Sequence, residues 1–292
     1  MNHKSNTVAE KEGVTLVLGG TGKTGRRIAE RLRNRGVATR IASRSATPSF
    51  DWSDSKSWDG ALKGVTAAYI SYAPDLAVPG AADAIHSFTE RAAEHGVERL
   101  VLLSGRGEEE AQLCERIVQE AGIAWTIVRA SWFNQNFSEG EFLGMVLDGT
   151  ITLPAGNTPE PFVDVNDIAD VAVAALTEKG HAGRIYEVTG PRLLTFTDIA
   201  DEISRASGRN VDYVRIPAED FATAIADAGV PDDTAWLLNY LFSTVLDGRN
   251  AYVGNGVQEA LGRPPTDFAE FARNTASLGI WDNATSSERE AA

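Results

Sequence analysis

Three glycines at a set spacing open the chemistry of this chain: Gly19-Gly20-Thr21-Gly22-Lys23-Thr24-Gly25, placed directly after the apolar run Val14 to Leu18 and before a helical pattern. Gly19 permits a sharp turn, Gly22 lets a diphosphate approach the backbone, and Gly25 lets the following helix lie close to the strand. The first N–H groups of that helix have no internal acceptor, and they lie at the positive end of its dipole, so a bound anion would satisfy both. Gly22-Lys23-Thr24 also copies the end of a nucleotide phosphate loop. That motif needs a glycine five positions ahead of the Gly-Lys pair, where Val17 stands, so dinucleotide binding is the reading retained.

The second apolar run ends Ile41-Ala42-Ser43-Arg44. An NAD-selective site places a carboxylate here for the ribose hydroxyls, whereas Ser43 and Arg44 are donors suited to a 2′-phosphate. NADPH/NADP+ is therefore the expected cofactor, with NADH the weaker alternative and Lys23 a second cation near the phosphates. Ketone reduction by a Tyr-x-x-x-Lys pair is not provided for, because none of the six tyrosines has a lysine four residues on. The four histidines are scattered without metal-ligand spacing, and no nucleophile elbow with its histidine partner occurs. Asp164 and Asp167 form a carboxylate pair, but Asp167 stands where a helix cap is expected before Ile168.

The elements that must hold these residues alternate in the first half of the chain. Strands are expected over Val14–Leu18, Ala38–Ala42, Ala67–Ser71, Arg99–Leu103, Trp125–Val128 and Ile185–Val188, with helices between them, as parallel strands joined by crossovers require. The helix over Glu108–Ala121 should pack on the sheet through Leu113, Cys114, Ile117, Val118 and Ala121, with Glu109, Glu110, Arg116 and Gln119 pointing away. From Pro191 the pattern turns helical: Thr195–Ala206, Ala218–Ala228, Asp233–Leu246, Val257–Leu261 and Phe268–Ser277. The expected fold is an α/β, Rossmann-type doubly wound parallel sheet with a smaller, mainly helical C-terminal substrate lobe. The division is 1–13 a disordered lead, 14–190 the NADP(H)-binding domain, 191–281 the lobe and 282–292 a disordered tail. A late lobe would cover the crevice at the carboxyl ends of the strands, where ligands of open α/β sheets bind.

Composition narrows the partners. A net charge of −14 over 292 residues repels phosphate backbones and anionic lipid, so neither nucleic acid nor membrane is expected. The single cysteine, Cys114, excludes an intramolecular disulfide and fits a reducing, cytoplasmic setting. The lead Met1 to Gly13 has no apolar signal segment, and no apolar run is of membrane-spanning length. The chain should act as a monomer or homodimer.

With these residues in place the chain resembles the NmrA-like, atypical short-chain dehydrogenase/reductases. Gly19 to Gly25, Phe50 to Asp54 before Trp58, Leu102-Leu103-Ser104, Trp125 to Phe137, Pro161 to Ala169 and Leu194 to Asp198 carry the likeness, over roughly residues 14 to 281. Within the family it is most similar to the ergot-alkaloid branch, the agroclavine and festuclavine dehydrogenases. The resemblance implies that Gly19 to Thr24 hold the diphosphate and that Asp51 and Trp52 flank the adenine. Ala73 and Pro74 would pass over the ribose, and Ser104 with the Ala130 to Phe133 turn would border the nicotinamide. Trp132, Phe133, Asn134 and Phe137, with Trp236 and Tyr240 from the lobe, would line a substrate pocket. Trp52 and Trp132 each have the plainer reading of core aromatics. On the helix where the Tyr-x-x-x-Lys pair would sit, Ala111 and Glu115 take its places, so the resemblance implies an acceptor that is already electrophilic. The expected activity is NADPH-dependent hydride transfer to C=O or C=N of a bulky polycyclic secondary metabolite, with Ser104 the candidate helper hydroxyl. The alternative is a non-catalytic NADP(H)-sensing regulator of the NmrA type.

Overall fold

A computed structural model describes residues 13–282. Apart from Gly13 and Asp282, the lead and tail expected at the two ends lie outside the described residues. Eight strands follow one another along the chain: β1 (Val14–Leu18), β2 (Thr39–Ala42), β3 (Val65–Ile70), β4 (Arg99–Gly105), β5 (Ala124–Ala130), β6 (Thr150–Leu153), β7 (Arg184–Val188) and β8 (Asp212–Arg215). The helices are α1 (Lys23–Asn34), α2 (Trp58–Leu62), α3 (Ala81–Glu94), α4 (Glu109–Glu120), α5 (Asn136–Glu139), α6 (Leu143–Asp148), α7 (Val165–Thr177), α8 (Phe196–Ser207), α9 (Ala218–Asp227), α10 (Asp232–Tyr240), α11 (Gly256–Leu261) and α12 (Phe268–Ser277).

Six strands form one wholly parallel sheet in the order β2-β1-β3-β4-β5-β7. Such strands are covered on both faces, which is why they read as nearly unbroken apolar runs. Alternate residues serve opposite layers. Leu16, Leu18, Ile70 and Leu102 pack with Ile85 and Phe88 of α3 and Val118 of α4, while Val17, Tyr69, Val101 and Val128 pack with Ile28 and Leu32 of α1 and Val171 of α7. The chain leaves β1 toward β2 on one side and reaches β3 on the other. That reversal opens a crevice at the strand ends, above β1 and β3.

A third core belongs to the lobe, and it is drawn from more of the chain than residues 191–281. Phe137, Phe142, Val146, Ile151 and Leu153 pack with Phe196, Ile199, Phe221, Phe242, Phe268 and Trp281. β6 and β8 pair in parallel as a separate two-stranded sheet. In the other direction α11, which was expected to serve the lobe, packs through Val257 into the core shared by α7 and the main sheet. The helix expected over Asp233–Leu246 ends as α10 at Tyr240 and continues as a π-helical turn, Leu241–Val245.

Two local expectations are corrected. Asp164, not Asp167, caps α7: its side chain accepts from the Asn166 N–H. Asp167 is fully buried and instead takes the Arg263 guanidinium at 2.7 Å and the Thr266 N–H at 2.7 Å. On α4 the buried stripe is rotated: Leu113 is exposed and Glu115 is buried. Glu115 can be buried because Arg129 of β5 reaches it.

Candidate active site

The glycine turn has the geometry its spacing predicts. Gly19 adopts a left-handed conformation, φ 63°, and its carbonyl accepts the Gly22 N–H at 2.9 Å. A Cβ on Gly25 would lie 2.3 Å from that carbonyl oxygen, so only glycine lets α1 begin this close to the turn. Gly22 caps α1 without any side-chain hydrogen bond, and the first turn of the helix has no acidic residue. The helix therefore starts with bare amides. Thr24 is buried and accepts from the Tyr69 hydroxyl at 2.9 Å, which fixes the helix start to β3. Lys23 points across the mouth to Glu141 at 3.2 Å. Bare amides, a positive helix end and one lysine together fit a diphosphate.

From this turn a crevice of about 550 Å³ runs along the strand ends to the lobe. Among the predicted residues, Gly19, Thr21, Gly22, Lys23, Thr24, Ala73, Pro74, Ser104, Trp132 and Phe133 line it. Gly20 and Gly25 lie beneath the turn and serve packing. Ser43 and the exposed Arg44 follow β2, outside the crevice wall. Asp51 holds its own loop by accepting the Ser53 N–H at 2.9 Å, and Trp52 packs edge-on against Phe50 at 5.0 Å and against Tyr72 at 4.9 Å.

The other predicted substrate residues do not line the crevice. Phe137 is wholly buried in the lobe core, and Asn134 is wholly buried with both amide atoms unpartnered. Trp236 and Tyr240 stack on each other at 5.2 Å on the outer side of α10, where Tyr240 donates to Glu110 at 2.8 Å. The crevice wall on that element is Thr234, Leu237 and Leu238, continued by Leu241 and Val245. Helical spacing explains the difference, since the two aromatics lie four residues apart on one face and the leucines occupy another.

At the far end of β4, Ser104 is 3% exposed and its Oγ donates to Glu115 Oε1 at 2.6 Å. The same oxygen accepts Arg129 Nε at 2.9 Å, and Arg129 Nη1 reaches Glu187 at 3.1 Å. Glu187 also faces Arg106, whose guanidinium lies 4.3 Å from the centre of the Tyr252 ring. The Ser104 proton is thus committed to a carboxylate, which makes the hydroxyl an acceptor toward the crevice rather than an acid.

Sequence reasoning missed the crevice's acids. Asp75, Glu108 and Glu160 all line it. Burial raises the Glu160 carboxyl to about 7, against the opposing pull of Arg106. Burial and the adjacent Asp75 carboxylate raise Glu108 well above the usual range. Asp75 follows Ala73-Pro74 directly and Glu108 opens a Glu-Glu-Glu run, so the only local signals were a neighbour and an acidic helix start. Burial also lifts the Cys114 thiol to about 12, which removes it as a nucleophile at neutral pH. No group of ligands among the described residues could hold a metal ion, and no described helix is long and apolar enough to cross a membrane.

Comparison with known proteins agrees with this geometry. A family model described as NmrA-like family matches residues 110–272, and one described as NAD(P)H-binding matches residues 19–179. Agroclavine dehydrogenase of Claviceps fusiformis is 31% identical over 288 residues, covering 91% of this chain and 98% of that protein. Prestalk A differentiation protein A of Dictyostelium discoideum is 28% identical over 291 residues, covering 94% of this chain and 96% of that one. Among solved structures, triphenylmethane reductase of Citrobacter sp. complexed with NADP(H) superposes with a TM-score of 0.76 at 19% identity, over 91% of this chain and 99% of that chain.

Proposed function

Because the chain belongs to the NmrA-like family and carries its NAD(P)H-binding domain, we propose that it reduces an electrophilic C=O or C=N of a bulky, flat, largely apolar molecule with NADPH. It is an NAD(P)H-dependent oxidoreductase. One observation carries it: one crevice joins the bare amides at the start of α1 to an apolar wall made by the lobe. A ligand anchored by its diphosphate at Gly19, Thr21, Gly22 and Lys23 would extend over Ala73 and Pro74 toward Ser104. Ser43 and Arg44, at the end of β2, are the donors available to a 2′-phosphate.

Trp132, Phe133, Leu237, Leu238 and Leu241 then bound the space for the acceptor. Bound NADPH supplies the hydride. The protein's part is to orient the acceptor carbon and to exclude water, since the lobe closes the crevice with apolar side chains. Ser104, held by Glu115, offers lone pairs to a donor such as a carboxamide N–H.

The test is direct. Purified protein should bind NADPH by calorimetry and oxidise it when a flat carbonyl or iminium acceptor is added. A protein that binds NADPH and consumes none with any such acceptor would be a sensor, and one that binds no nicotinamide dinucleotide would remove the assignment altogether.

A further inference from the structure

Reduction of a carbonyl needs a proton as well as a hydride, and neither Ser104 nor the replaced Tyr-x-x-x-Lys positions supply one. Resting on the reductase reading above, we propose that Glu108, which lines the crevice together with Asp75, is the proton donor of this enzyme. Glu108 stands at the N-terminus of α4, the helix on which Ala111 and Glu115 replace the usual pair. Its carboxyl group folds back over the end of β4, so close that a Cβ on Gly105 would lie 2.1 Å from Oε1. Gly105 follows Ser104, and both line the crevice with Glu108.

Glu108 is 6% exposed, and its Oε2 is buried with no hydrogen-bond donor on it among the described residues. Across from it stands Asp75, from the segment after β3, which also accepts the Ala77 N–H at 2.9 Å. Two neighbouring carboxyl groups withdrawn from water repel each other when both are ionised, which favours the neutral form of one of them. Glu110 and Glu115, on the same helix, add negative charge against Glu108 and further favour its neutral form. Burial raises Asp75 too, but the Ala77 N–H opposes this and favours its charge, whereas Glu108 Oε2 has no donor among the described residues, so Glu108 is the better place for the proton.

The step balances. As hydride from NADPH reaches the acceptor carbon, the O–H bond of Glu108 breaks and an H–O bond forms at the acceptor oxygen, giving the alcohol and NADP+. The two carboxylates left facing each other then take one proton from water at the half-buried Asp75. An acceptor that is already a quaternary iminium needs no such proton, and this separates donor chemistry from general damage to the site.

The experiment uses 9-fluorenone as a flat ketone acceptor and N-methyl-3,4-dihydroisoquinolinium as a pre-charged one. Glu108→Gln should bind NADPH as the wild type does, lose ketone reduction by about 100-fold or more, and retain iminium reduction. Glu108→Asp should recover part of the ketone activity. Independently of turnover, infrared difference spectra at pH 7 should show one neutral carboxyl band that is lost in Glu108→Gln and shifted in Asp75→Asn, separate from the Glu160 band, which only Glu160→Gln removes. A neutral carboxyl spectrum unchanged in Glu108→Gln overturns the proposal, and so does an equal loss toward both acceptors. If the wild type consumes no NADPH with either acceptor, the reductase reading itself fails; if it reduces both and Glu108→Gln still reduces both, only the donor assignment fails.

Discussion

Glu108 and Glu115 lie two helical turns apart on the same element, yet their partners give them opposite tasks. Glu115 meets the Arg129 guanidinium and receives the Ser104 proton, whereas Glu108 meets another carboxyl group and keeps its own. The identity of a glutamate says nothing about this; the neighbour decides. Arg44 is the converse case, a residue whose role its type and place do suggest. It follows β2 with its guanidinium exposed, and no carboxylate stands at the strand end to bind ribose hydroxyls. Arg44→Ala should therefore weaken NADPH by on the order of tenfold, the value of one charge-assisted hydrogen bond at an exposed site, and leave NADH nearly unchanged. Calorimetric titration with both cofactors checks this, and equal losses would remove the 2′-phosphate assignment. Residue-scale legibility was uneven for the same reason. The glycines could be read because backbone geometry fixes their role, while Trp236 and Tyr240 could not, because only the packing of α10 shows which of its faces meets the crevice.

At the scale of elements, the main sheet was legible nearly strand for strand, because a strand buried on both faces must be an apolar run bounded by turns. β6 and β8 were not. Each has four residues, and each finds its strand partner about sixty positions away, so neither leaves a local pattern. On α4 Cys114 and Val118 are buried as expected, and the buried Glu115 was not foreseen because it depends on Arg129 from the next strand. The join between β1 and α1 is where sequence and function coincide most closely. Gly25→Ala would drive a methyl group to 2.3 Å from the Gly19 carbonyl oxygen, and the turn must open to admit it. Overpacking of this kind costs about 1–3 kcal/mol. The variant should remain folded with a lower melting temperature, and its NADPH affinity should fall by roughly tenfold or more as the amides lose their common aim. Unchanged affinity with unchanged stability would mean that the turn is not the anion site.

At the scale of the whole molecule, the sheet with a core on each face and the lobe with a third core meet around an acid-lined crevice, and Glu160 sits at their junction. Its backbone pairs with Leu194 in both directions at 2.9 Å, and its side chain, 1% exposed, faces Ser131 beyond β5, Arg106 beyond β4 and Asp247 of the lobe. Folding therefore withdraws this carboxyl from water while giving it only partial compensation. Its pKa rises from 4.5 to about 7, so between those values the folded chain binds more protons than the unfolded one. By linkage, stability is then fully present below about pH 4.5 and declines as pH rises through about 7, by at most about 3 kcal/mol for this one group. Glu108, shifted in the same direction by burial, adds to the decline. Chemical denaturation of the wild type across this range should show the slope, and Glu160→Gln should flatten it, being less stable than or equal to the wild type at pH 5 and more stable at pH 8. A wild type whose stability climbs steadily from pH 5 to pH 8 would mean that the crevice acids are solvated and ionised in the folded state, and the proton-holding character assigned to this junction would be lost.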